Sequence, residues 1–440
     1  MKRLSTPPGR PVQIELDGEQ LSAHEGEPIA CALLANGETL FSRSIKYHRP
    51  RGPYCLAAAC THCLMRVDGV PNIYTCRTPV KEGMRIERQN AYPSAKVDLF
   101  QSIDWLFPRG LDHHEMFAGV PVAEKVMAKV ARHLAGLGLL PDHPAPERLE
   151  CRTLQTQVAI VGGGAAGLAA ARVLVGRGID FLLIERDAVT GGRLIDGPPE
   201  TDAPAVETIP AAKLLLKTSV IGLFDDQDGK FFAAISYSPQ GPRLLKIRAL
   251  RLLVTTGGHP AVLPFENNDL PGVMAGRAAT RLIRRHQLRP GSKVALVGTG
   301  VELESISQLV ASVGMKLQAV VEVRGAPSGQ AVAGTRPKAH GRSKVSGFSY
   351  QRADGKTHKV SCDTVLVCMP PSPSFELARQ GGARITFSEQ HGVFVVEADA
   401  VGRTHAPTVF VAGELLSPTS AREAALSGQR AGEAIAGEVA

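Results

Sequence analysis

The sequence predicts a mixed fold, α+β followed by α/β: a small N-terminal domain, then a larger part built on two dinucleotide-binding units. Three observations predict it. Four cysteines lie at C-x4-C-x2-C-x12-C spacing between Cys55 and Cys76. A G-x-G-x-x-G run, Gly162 to Gly167, follows an apolar strand and opens a helix, the two contexts that give such a run meaning. A fainter echo, Gly298-Thr-Gly300, sits in the second half.

Composition narrows the class. At 440 residues the chain can bury two or three cores. Hydrophobic residues at 44% and charged residues at 21% read as a soluble globular protein. The formal net charge is +8, but Lys and Arg are scattered, with no basic helix or aromatic-interleaved strip. Nucleic acid is therefore not an expected partner, and a basic partner-facing or anion-holding surface is the plainer reading. Of eight cysteines, four cluster at 55–76, which is not a secreted disulfide framework. Cys362 and Cys368 read as core thiols of one strand, because six strand residues span about 20 Å, too far for a disulfide. The N-terminus, Met-Lys-Arg-Leu-Ser-Thr-Pro-Pro, lacks the apolar stretch of a secretory signal, so the cytoplasm is expected. Residues 158–176 are apolar enough to suggest a membrane span, yet their glycines argue for strand, loop and helix.

Val12-Gln-Ile14-Glu-Leu16 alternates, Asp17-Gly18 marks a hairpin turn, and Gln20 to Ala23 is a second strand. Glu25-Gly26-Glu27-Pro28 opens an apolar helix over Ile29–Leu34 that stops at Asn36-Gly37. The cysteine loop follows, then a short strand-like run before Cys76. This order resembles the β-grasp ferredoxin-like domain, in which the loop after the helix wraps a cluster. Cys55, Cys60 and Cys63 carry the plant-type spacing, and with Cys76 they offer four soft thiolates to a [2Fe–2S] cluster. The gap to Cys76 is shorter than in plant ferredoxins and resembles the iron–sulfur subunits of succinate dehydrogenase. Structural zinc on the same thiolates and a redox Cys60/Cys63 pair are the competing readings. Ala57, Ala58 and Ala59 fit a tight loop whose amides point at sulfur, and His62 reads as a surface loop residue.

Before this loop runs Arg43-Ser-Ile-Lys46-Tyr-His48-Arg49-Pro50-Arg51-Gly52. By charge alone it is a solvated run. It resembles the run in α subunits of hetero-oligomeric sarcosine oxidases, with opine oxidases and hydrogen cyanide synthase as the cluster-bearing relatives. The likeness covers residues from about 10 to 440. It implies an α component beside a D-amino-acid-oxidase-like flavoprotein β subunit with its own FAD, a small additional subunit, and FMN at the α/β interface. It also implies that Lys46, Arg49 and Arg51 hold that flavin's phosphate or the β subunit. The ordinary sarcosine oxidase α subunit carries a further folate-type domain; with the sequence stopping at 440, tetrahydrofolate coupling is not expected.

Residues 92–153 read as a helical connector. It holds Trp105, the loop histidines His113 and His114 with no metal-ligand spacing around them, a helix over Val122 to Leu140, and a Pro-rich linker at 141–146.

The first dinucleotide unit follows. Gly162 permits the tight turn, Gly164 the close approach of a pyrophosphate beside Ala166, and Gly167 close helix–strand packing. The helix N-terminus then faces the phosphates. Phe181-Leu-Leu-Ile-Glu185-Arg186 ends a strand in the acid expected at a ribose. Gly191-Gly192-Arg193 just after it resembles FAD-binding rather than NAD-binding enzymes. Thr255-Thr256-Gly257 looks like the strand end of two-dinucleotide-domain flavoproteins, and Ala412-Gly413-Glu414 resembles their final Gly-Asp motif. Glu414 is one methylene longer than the usual acid there. A last helix over Ala421 to Ile435 is expected to cover the flavin site with its N-terminus.

In the second unit Gly298, Gly300 and Glu322 fall where a nicotinamide nucleotide would be held, but Leu303 replaces the third glycine, which should push the helix off the strand. A vacated or repurposed slot is the reading preferred over bound NAD. The expected division is a β-grasp domain at 1–91, the connector at 92–153, an FAD domain at 154–267 and 377–440, and an inserted nucleotide-like domain at 268–376.

No hydrolase motif is present, and no Cys-x-x-Cys lies in the second unit. No constellation for an amine substrate is visible, so no catalytic residue is assigned. The expected function is an electron-transfer α subunit carrying FAD and a [2Fe–2S] cluster, with C–N oxidation in the partner β subunit. The alternative is a self-sufficient NAD(P)H-dependent reductase.

Overall fold

The computed structural model describes every residue except 46, 103–140, 142–148, 201, 207, 239–240 and 440. Lys46, Trp105, the His113-His114 pair, the helix expected over 122–140 and most of the 141–146 linker therefore lie outside the described residues. The chain divides into two compact units, residues 1–145 with 262–369 and residues 146–261 with 370–440.

The first unit contains a five-stranded sheet in the order Glu19–His24, Pro11–Leu16, Arg85–Glu87, Leu64–Val67, Val70–Tyr74. Pro11–Leu16 runs parallel to Arg85–Glu87 and every other pairing is antiparallel. The alternation of Val12, Ile14 and Leu16 puts all three in the core. The helix Ile29–Ala35 buries its first six residues, which its unbroken apolar sequence demands. Between Cys63 and Cys76 the structure has two strands rather than one. Asp68 and Gly69 both take positive φ and close a two-residue hairpin, the turn that matches strand twist.

The same unit holds a parallel sheet ordered Val273–Ala275, Thr364–Cys368, Lys293–Gly298, Lys316–Glu322, Val332–Ala333. Helices Gly276–Arg284 and Gly300–Ser312 pack on it. Its central strands are almost uniformly apolar and buried, as parallel strands covered on both faces must be. Cys362 is buried just before the strand Thr364–Cys368, and both thiols are free. A three-stranded antiparallel sheet, Thr335–Gly341, Val345–Gln351 and Thr357–Val360, follows the last parallel strand. The short strand Lys2–Arg3 pairs with Leu288–Arg289.

The second unit is built on a seven-stranded sheet. Cys151–Val161 lies parallel to the long strand Gly241–Val254 on one side and to Phe181–Ile184 on the other. Leu214–Leu215 extends the sheet beyond Phe181–Ile184. Val409–Val411 joins the C-terminal end of the long strand, while Thr218–Asp226 and Gly229–Ser238 form an antiparallel meander with its N-terminal part. This meander has no counterpart in the sequence reading. Helices Ala165–Gly176 and Ala421–Val439 pack closely: a Cβ on Gly428 would sit 2.0 Å from the Ala166 carbonyl oxygen. Ile160, Phe181, Leu183, Leu253 and Phe410 fill the core beneath them. Among the described residues no helix is long and apolar enough to cross a membrane.

Candidate functional site

The cysteine loop belongs to the first unit. Leu56 and Ala58 both have positive φ, +48° and +52°, a backbone that curls the loop around its own sulfurs. The Ala57 amide donates to Cys55 Sγ at 3.4 Å. The amides of Ala59 and Cys60 also reach Cys55, that of Ala58 reaches Cys76, and that of His62 reaches Cys60. The four thiols meet in two pairs. Cys60 hydrogen-bonds Cys55 and holds it down, to about 6, while Cys63 bonds Cys76 and lowers it likewise. Among the described residues no three His, Cys, Asp or Glu side chains converge on a point that one metal ion could occupy. Two thiolate pairs rimmed by backbone donors fit a two-iron cluster, which takes two protein ligands at each iron. They fit a single four-coordinate zinc less well. Cys55, Cys63 and Cys76 are buried and Cys60 reaches the surface in part.

The first dinucleotide loop belongs to the second unit. Gly162 has φ +113°, and an added Cβ there would meet the Thr255 carbonyl oxygen at 2.3 Å. A Cβ on Gly167 would lie 1.9 Å from the Gly162 carbonyl oxygen. Gly164 faces open space, with nothing within 4 Å of an added Cβ. Glu185, at the end of strand Phe181–Ile184, is buried and held by two backbone donors. Gly163 N–H reaches its Oε2 at 2.7 Å and Asp187 N–H its Oε1 at 2.8 Å. Gly192 lies against Gly164, and Gly191 N–H bonds the Gly163 carbonyl at 2.7 Å. Arg193 donates to Glu414 and to Glu200, each at 2.5 Å. Its Nε is buried without a hydrogen bond among the described residues. Gly258 N–H holds the other Glu414 oxygen at 2.9 Å. Gly413 N–H donates to Ser427 at 2.8 Å. An open cradle at Gly164 and an orphaned donor at Arg193 fit a bound dinucleotide.

Gly162, Gly164, Ala166, Gly167, Glu185, Gly192, Arg193, Gly257, Gly413 and Glu414 thus gather around one loop system. Thr256 turns away, its hydroxyl donating to the Ser374 carbonyl at 2.8 Å, and Arg186 is exposed. Sequence reasoning missed Thr255, whose hydroxyl donates to the carbonyls of Gly162 at 2.8 Å and Val161 at 3.1 Å and so clamps the loop. It also missed Glu200, which bonds Arg193 and the Ala421 amide at the start of the last helix.

In the second dinucleotide-like unit Glu322 repeats the posture of Glu185. It accepts from Gly300 N–H at 3.1 Å, Arg324 N–H at 3.0 Å and Gly325 N–H at 2.9 Å. Burial pushes its carboxyl up, but the Thr299 hydroxyl and these amides outweigh that and hold it below the ordinary range. Gly298 is pressed on the Cys368 carbonyl, 1.8 Å from an added Cβ, and Leu303 is buried.

The basic run before the cysteines is largely tied inside the first unit. Arg49 forks onto Asp269, with both contacts at 2.9 Å, and reaches Asn267 at 3.0 Å. Arg51 joins Asp269 at 3.0 Å. Arg43 and His48 are buried around Asp98, His48 Nδ1 lying 2.8 Å from its carboxylate. The solvated reading is corrected for Arg43, His48, Arg49 and Arg51, whose carboxylate partners lie far away in sequence.

Residues 9–91 match the family described as 2Fe-2S iron-sulfur cluster binding domain, and residues 156–428 match pyridine nucleotide-disulphide oxidoreductase. Sarcosine oxidase subunit alpha of Rhizobium meliloti (strain 1021) is 28% identical over 432 residues, covering 89% of this chain and 43% of that protein. The chain thus spans less than half the length of this relative. Hydrogen cyanide synthase subunit HcnA of Pseudomonas aeruginosa is 32% identical over 77 residues, 18% of this chain and 73% of its own. L-proline dehydrogenase from P. horikoshii shares the fold with a TM-score of 0.72 at 23% identity, covering 99% of this chain and 75% of that one. The second match takes in well over half of the residues, and with it the chain belongs to the pyridine nucleotide-disulphide oxidoreductase family, its oxidoreductase fold preceded by a 2Fe-2S iron-sulfur cluster binding domain.

Proposed function

We propose that the chain is the electron-handling α-type subunit of a hetero-oligomeric, flavin-dependent amine or amino-acid dehydrogenase or oxidase of the cytoplasm. C–N oxidation then belongs to a D-amino-acid-oxidase-like β subunit. The observation that carries this reading is the order of parts, a cluster-binding domain before an oxidoreductase fold, in a chain similar along most of its length to a sarcosine oxidase α subunit. In this reading residues 1–91 hold the cluster on Cys55, Cys60, Cys63 and Cys76. Residues 154–267 and 377–440 hold FAD, with Gly162, Gly164 and Gly167 at the pyrophosphate and Glu185 at the ribose. The inserted residues 268–376 are a repurposed nucleotide slot. Arg49 and Arg51, anchored on Asp269, help hold an interface FMN or the β subunit. When bound, a flavin takes up an electron pair and an iron–sulfur cluster passes electrons singly, which is the physical reason to join them.

Co-purification of the chain with its β-type partner tests this. Electron paramagnetic resonance of the reduced complex should show a [2Fe–2S] signal, and absorption should show FAD retained by this chain. Zinc in place of iron, or a chain without flavin, would overturn the reading. The posture of Glu322 beside Gly300 favours one rival, direct reduction by NAD(P)H. Rapid mixing of the isolated chain with NADH decides it: we expect no flavin bleaching within milliseconds, and bleaching on that scale would establish the rival.

A further inference from the structure

The cysteine loop is gripped from outside by one helix. Ala275 N–H, at the start of helix Gly276–Arg284, donates to the Tyr54 carbonyl at 3.0 Å. Arg281, in the last turn of that helix, donates from Nη1 to the Leu56 carbonyl at 2.8 Å. The two contacts bracket Cys55. Leu56 has φ +48°, a left-handed conformation that strains a side-chain-bearing residue. Something must hold it there.

The Leu56 carbonyl and the Ala57 N–H are two ends of one peptide group. That N–H donates to Cys55 Sγ. Guanidinium, peptide and sulfur therefore lie in one line of hydrogen bonds. A cation on the carbonyl oxygen draws density through the resonant C–N bond and makes the N–H a stronger donor.

We propose that Arg281 is a positioning residue that raises the reduction potential of the cluster through the Leu56–Ala57 peptide. The inference rests on the cluster reading given above. Reduction adds one negative charge to the iron and thiolates together. A nearby cation and a strengthened N–H···S bond both favour that state. Arg281→Met removes charge and donor while keeping an unbranched apolar stem. Arg281→Lys keeps the charge and one donor but loses the planar fork.

The test is a mediated redox titration of the purified, cluster-loaded complex, followed by the electron paramagnetic resonance signal of the reduced cluster. Arg281→Met should lower the reduced-to-oxidised ratio at a fixed potential about tenfold, a midpoint about 59 mV lower for one electron. Arg281→Lys should recover most of that shift. A merely structural role would change iron content without ordering the midpoints as Arg, Lys, Met. An unshifted midpoint in Arg281→Met at full iron content would overturn the inference. Should that variant fail to fold, Arg281→Gln supplies the neutral case, and equal midpoints for Arg, Lys and Gln overturn the inference equally. A wild-type complex with no [2Fe–2S] signal is a different result: it overturns the cluster reading itself.

Discussion

Gly164 and Gly167 are three residues apart and do opposite things. A Cβ at Gly167 collides with the Gly162 carbonyl, whereas one at Gly164 meets only open space. Gly167→Ala should destabilise the flavin-free protein by about 1–3 kcal/mol, as overpacking does. Gly164→Ala should leave the flavin-free melting temperature unchanged and weaken FAD retention. Calorimetry with and without added FAD separates the two, and equal melting shifts in the flavin-free state would contradict the assignment. Arg49→Gln should cost about 1 kcal/mol in urea unfolding whether or not flavin is bound, because Asp269 loses its bidentate partner but keeps Arg51 in a partly solvated setting. These glycines were legible because their meaning is local: spacing after a strand and before a helix defines the turn. Asp269 was not legible. It stands 220 residues from Arg49, and nothing local separates a paired cation from a solvated one. Thr255 and Thr256 are adjacent and similar, so only the backbone direction at the strand end shows which of them clamps Gly162.

At the scale of elements, the strands and helices with clean periodicity were readable: Pro11–Leu16, Ile29–Ala35 and Ala165–Gly176 all lie where the pattern puts them. The meander over Thr218–Asp226, Gly229–Ser238 and the N-terminal part of Gly241–Val254 went unread. Its charged and apolar residues follow no single period, and it gains its pattern only by extending a sheet already formed. Its first turn has its own electrostatic device. Asp226 faces Lys246 and Arg248, which hold its carboxyl down, from an ordinary 3.8 to about 2. A depressed folded-state value means the ion pair contributes fully above the unfolded value and fades as pH falls through the folded one. Asp226→Asn should therefore be less stable than the wild type above about pH 4, with the gap closing between about pH 4 and 2. Thermal melts of both proteins across that range check it. A gap that persists at pH 2 would mean the residue acts through something other than its charge.

At the scale of the molecule, the cysteine loop and the first dinucleotide loop belong to different compact units. Cys76→Ser should therefore abolish the reduced-cluster signal while leaving FAD absorbance and its stoichiometry unchanged. Loss of both together would show that the units do not stand independently. Each unit is assembled from two separated stretches of chain; a return of the chain at 377–440 to the segment 154–267 was expected from the motifs, but no motif marks that residues 262–369 cluster with the N-terminal stretch. This assembly also sets a schedule for the ribosome. Arg281 emerges 225 residues after the carbonyl it grips, which at about 5–20 residues per second is tens of seconds. During that interval the four cysteines are already outside the exit tunnel while the helix that will brace them does not yet exist. Iron–sulfur insertion into this protein thus has a natural window during its own translation, and synonymous codon changes that slow residues 76–281 would lengthen it.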